Sequence, residues 1–185
     1  MWQFKNTQSM FDKSSDFLQE KANELASRLI AIADEAAPAL SRSLHGPEAG
    51  DGMTGPVRLE LIALVLHLAD RFSSASFGPD HRKIFMDNLL AATAGSLPGE
   101  SRRSLKETYS ERHVSYSGFG KLYPEEGENM KDTLFWEFGK VMAERFSPDD
   151  PASAVVAASA AMDVYQALNR TVDEVGVFKY TKERP

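Results

Sequence analysis

Cysteine is absent from the 185-residue chain, which removes disulfides, thiol nucleophiles and cysteine-ligated metals from consideration. Long apolar runs are absent too: no window reaches 18 uninterrupted apolar residues, and the N-terminal MWQFKNTQSMF lacks a basic stretch leading into an apolar one. No membrane span and a cytoplasmic location are therefore expected. Positive charge is in deficit, with 21 Lys and Arg against 27 Asp and Glu for a formal net charge of −6. A polyanion would meet overall repulsion, so nucleic acid is not expected as a partner. No stretch alternates apolar with polar residues for long, and β-branched residues are sparse, which leaves a sheet without support. No repeat at a solenoid period is present.

What is present is helical periodicity. Leu18, Ala22, Leu25, Leu29, Ile32 and Ala36 recur at steps of three or four, one face of a helix from near Ser14 to near Pro38. HGPEAGDGMTGP, residues 45 to 56, breaks the pattern and presents Pro56 as the first residue of a second helix. Pro79 and Pro151, each behind a breaker or capping residue, mark further starts. Between them lie helices through SRRSLKETYSERHVSY and from Asn129 as N-cap through LFWEFGKVMAERF, and the last helix ends near Val175. With 42% hydrophobic and 26% charged residues, the chain reads as all-α, a single-domain bundle (1–185) of about six helices. Residues 1–13 are expected to form a loosely ordered N-terminal segment. The small residues of AVVAASAA, 154 to 161, predict close helix packing, within the subunit or across a homodimer.

The second helix, RLELIALVLHLADRF, is apolar except for Arg58, Glu60, His67, Asp70 and Arg71. Glu60, His67 and Arg71 fall within roughly 40° of one another, with Asp70 beside them, a narrow stripe that predicts one partly solvated edge on an otherwise buried helix. Sites of known chemistry are scarce. No Glu-x-x-His occurs, Gly118-Phe119-Gly120-Lys121 lacks the flanking residues of a phosphate loop, and there is no Gly-x-Ser-x-Gly elbow. Neither a metal nor another cofactor is expected.

The fourth helix carries the candidate binding site. Tyr109, His113 and Tyr116 share a face with Arg112 beside them, and the helix runs into the aromatic connection through Tyr123. Tyrosine and arginine bring contact area with donors at their tips, the composition of interface hot spots. Trp136, about 160° from Phe138 around the fifth helix, joins this set as an exposed aromatic, unless it packs on Trp2 or Phe4. A non-enzymatic protein-binding or adaptor protein, acting through an exposed Tyr/Arg/His face on a protein partner, is the leading reading. A small-molecule site or enzyme between helices is the alternative, with His113 as acid or base and Arg112 holding an anion, or with His67 and Asp70 in a second cavity.

Residues 58 to 72, followed by a helix rich in Phe and Leu and then one with spaced tyrosines, resemble the helical assembly-chaperone family that serves the respiratory cytochrome bc1 complex. The likeness covers roughly a third of the chain, through hydrophobic pattern. It implies a helper protein in the assembly of other proteins. The basic segment that the family carries between those helices is missing here, so no functional residue is transferred.

Overall fold

The structure is a computed structural model that describes residues 4–46, 51–125 and 128–178, with side chains from residue 15 onward except Asp51. The expected state of residues 1–13, and a contact of Trp136 with Trp2 or Phe4, lie outside the described residues or side chains. The described residues form six α-helices: α1 (Phe4–His45), α2 (Asp51–Ser76), α3 (Pro79–Gly95), α4 (Gly99–Tyr116), α5 (Leu134–Phe146) and α6 (Ala152–Val175). Among the described residues there is no strand, only an isolated parallel bridge between Lys121 and Thr133. The bundle is all-α, as its sequence pattern predicts.

α1 does not stop at Pro38 but runs on to His45. A proline inside a helix removes a hydrogen bond and costs about 3 kcal/mol. Burial of Ala37, Leu40 and Leu44 against the core offsets that cost, and Arg58 of α2 pairs with Asp34 one turn before the proline. α2 likewise starts ahead of Pro56, at Asp51. Its expected solvated edge is not there. Every residue from Glu60 to Asp70 is buried, because α2 packs against all five other helices. By length and composition Gly52–Ser76 could also cross a membrane, a test that the core helix of a soluble bundle passes as well.

α3 begins at Pro79 behind the extended Gly78, as predicted. α5 begins later than predicted. Asn129 caps a short 3-10 turn, Met130–Asp132, by accepting from the Lys131 amide, and Thr133 is the N-cap of α5 proper. α6 opens where Asp150 accepts hydrogen bonds from the Ala152 amide and the Ser153 hydroxyl, and it ends on Gly176 in the left-handed region at φ 70°. The small-residue face of α6 packs inside the subunit. Ala154, Ala157, Ala158 and Ala161 are buried, and α5 approaches so closely that a Cβ on Gly139 would lie 2.2 Å from the Ala154 carbonyl oxygen.

Candidate functional site

The polar residues of α2 and those of α4 are two halves of one seam. Glu60, 0% exposed, accepts two hydrogen bonds of 2.9 Å from Arg112 and a third from Arg145 of α5. The hydrogen bonds to Glu60 hold the Arg112 guanidinium well above its ordinary pKa, against the opposing effect of burial. One turn and more further along α2, the His67 ring meets the rings of His113 and Tyr116 edge to face, each at 5.5 Å. Asp70 follows, buried, accepting from Arg82 of α3 at 2.8 and 2.7 Å and from the Ser73 hydroxyl. The hydrogen bonds to Asp70 also raise the Arg82 pKa. At the far end Arg71 donates to the carbonyls of Phe119 and Gly120, both at 2.7 Å, so the glycine-containing stretch after α4 is an anchored turn.

Each element positions its part for local reasons. Four buried residues, Leu105, Thr108, Arg112 and Tyr116, recur at steps of three or four and make the inner face of α4. The Pro98 turn that starts α4 is held by Arg102, which donates to the carbonyls of Ala94 and Gly95 at the end of α3.

The structure brings together only some of the predicted site residues. Tyr109 and His113 are half-buried, with ring centroids 5.5 Å apart. Burial, helped by the Asp70 charge, pushes the Tyr109 hydroxyl up to about 12. Arg112 and Tyr116 are not on an exposed face, as the sequence pattern had them, but inside the seam, because α4 turns its polar stripe toward the polar stripe of α2. Tyr116 is 0% exposed, and burial followed by the Glu60 charge drives its pKa far up. Tyr123 is exposed and lies elsewhere, over Phe135 and Tyr165. Trp136 is half-buried rather than exposed. Asp70, which the sequence pattern offered only with His67 in the alternative reading, belongs to the seam, as do Glu60, Arg82 and Arg145, which were in no predicted site. The charge complement between the two stripes was the available signal for Glu60; nothing in the pattern pointed to Arg82 or Arg145.

The chemistry available in the seam is limited by its own pairing. Arg112 is occupied by Glu60 and cannot hold an anion, and among the described residues no group of three or more His, Asp or Glu is placed to hold a metal ion. His67 is the exception to the pairing. Both its ring nitrogens are buried without a hydrogen-bond partner, as are Nδ1 of His113 and the Tyr116 hydroxyl. Burial, then the neighbouring His113 and Arg71, lower its pKa to about 4.

A second feature lies across the molecule, where α1 and α6 leave a groove of about 600 Å³. Ala36, Ala39 and Ala160 line it with little side-chain volume, and Val155 and Val156 stand at its lip, 54% and 40% exposed. Glu35 of α1 and Asp163 and Arg170 of α6 are the charged residues of its lining. No described cation pairs with either carboxylate.

Comparison with known protein families, with curated proteins and with solved structures gives no match, so the resemblance to the assembly-chaperone family rests on hydrophobic pattern alone.

Proposed function

We propose that the protein is a non-enzymatic helical binding protein that receives an amphipathic helix of a protein partner in the groove between α1 and α6. The observation that carries this reading is the exposed apolar lip of Val155 and Val156 over a floor of alanines. Exposed valines in a row beside a concave apolar floor are the surface that a helix-in-groove complex covers. Small floor residues let a second backbone come close. The charges define the occupant. Glu35 and Asp163 call for a Lys or Arg on the incoming helix, and Arg170, seven residues along α6 from Asp163, calls for a carboxylate about two turns away. The predicted binding face on α4 is not the surface proposed here, since Arg112 and Tyr116 are engaged within the fold.

The test fills the groove. Ala39→Phe and Ala160→Phe place rings where the partner helix would lie, at positions that are not part of the buried core. A partner retained by the parent chain and lost by both variants is identified, and its helical segment is titrated as a synthetic peptide. The reading requires binding of that peptide at least about 30-fold weaker in the filled variants, a change of about 2 kcal/mol. Equal affinity, or no protein that distinguishes parent from variants, refutes it.

A further inference from the structure

The seam between α2 and α4 is finished at both ends and unfinished in the middle. Arg112 closes on Glu60 at one end, and Arg71 holds the Phe119 and Gly120 carbonyls at the other. Between them His67, His113 and Tyr116 bury four side-chain atoms that have no partner. Native interiors leave few such atoms unpaired, and each one favours a state in which water reaches it.

α4 is also the helix that α2 can lose without stranding a charge. When it leaves, Glu60 keeps Arg145 of α5, and Asp70 keeps Arg82 of α3 and the Ser73 hydroxyl. The departing Arg112 moves into water with Glu111, to which it is already bonded. Both ends of the helix are fastened as hinges. Arg102 ties the start of α4 to the end of α3, and the Leu134 and Phe135 amides hold the Lys121 and Leu122 carbonyls against α5.

From this arrangement we propose that α4, with Ser117–Gly120, is a flap over α2 that acid releases, and that His67 is its trigger. In the closed seam a proton on His67 faces His113 and Tyr116 on α4 and Asp70 and Arg71 on its own helix. Arg82 of α3 already occupies both oxygens of Asp70, and Glu137 of α5 lies beyond Tyr116. The proton therefore enters a site where no acceptor lies within hydrogen-bond distance of the His67 ring and where two neighbours are positive or protonatable. His113 partly opposes release, since its protonated ring would face Asp70 at 4.0 Å. The same charge bears on His67, so closing with both rings protonated is the least favourable arrangement. In the open flap the His67 ring is hydrated and regains its ordinary value. Taking the closed value of about 4 against the ordinary imidazole value of 6.5, opening is favoured about 30-fold more at pH 5 than at pH 8.

Hydrogen exchange of the full chain, read by mass spectrometry at pH 8 and pH 5 and corrected for the intrinsic pH dependence of amide exchange, tests this. The expected result is a loss of protection of about 30-fold in peptides from α4 to Gly120, with peptides from α6 unchanged, and no such loss in His67→Phe. Unchanged protection of α4, or a loss shared equally by α6, overturns the flap. The parent chain alone decides that point, even where the variant fails to fold. A loss of the same size in folded His67→Phe overturns the trigger.

Discussion

Replacing Glu60 by Met should be among the most damaging single changes in the protein, and more damaging than replacing its partner Arg112. Glu60 is 0% exposed and accepts from two arginines; the Arg112 side chain is 11% exposed and that of Arg145 is 47% exposed. In Glu60→Met, Arg145 turns to solvent at little cost. Arg112 stays enclosed with only the exposed Glu111, so about 3 to 5 kcal/mol is lost, the usual consequence of breaking a buried pair from one side. In Arg112→Met, Glu60 still holds Arg145, and the loss should be about 1 to 3 kcal/mol. The double variant removes both buried charges and fills the space with apolar volume, so it should recover to within about 1 kcal/mol of the parent. The assay is urea unfolding followed by far-UV circular dichroism, with the slope checked for constancy across the cycle. Costs of the two single changes that simply add in the double variant would refute the reasoning, as would a loss below about 1 kcal/mol for Glu60→Met.

The His67 imidazole, lowered to about 4 from 6.5, is held neutral in the folded state, so its contribution to stability is complete above about pH 6.5 and is lost as pH falls toward 4. The loss approaches about 3 kcal/mol, and a urea midpoint in His67→Phe that keeps the same dependence between pH 7 and pH 4.5 would count against it. Gly139→Ala should destabilise by about 1 to 3 kcal/mol, because its Cβ would meet the Ala154 carbonyl oxygen at 2.2 Å, and an unchanged melting temperature would show that α6 can move aside. Leu64→Ala, at a fully buried position of α2, should cost about 2 to 5 kcal/mol by denaturant midpoint, and a loss under about 1 kcal/mol would mean that the site collapses around the gap. Thr133→Ala removes the hydroxyl that accepts from the Trp136 amide and should cost about 1 kcal/mol, with an unaltered midpoint assigning that cap to solvent instead.

The all-α class, the starts of α3 and α6 and the ends of α4 and α6 are local matters, settled by periodicity, by prolines at first turns and by a glycine after the last one, and the chain reads correctly there. Tertiary packing decided the rest. α1 passes through Pro38 because burial beyond the proline outweighs one lost hydrogen bond, a balance that no window of sequence contains. The stripe of Glu60, His67 and Asp70 looked like a wet edge because a polar stripe has the same angular pattern whether water or another polar helix faces it. Tyr109, Arg112, His113 and Tyr116 looked like an exposed binding face for the same reason. Each stripe was legible by itself. That the two face each other, with Arg82 and Arg145 arriving from α3 and α5, follows from how the helices cross, and periodicity within one helix carries no information about its neighbour. The groove between α1 and α6 is of the same kind: its alanines and valines are plain in the sequence, but only the antiparallel placement of two helices far apart in the chain, fastened by Arg28 to Glu174, makes them a surface.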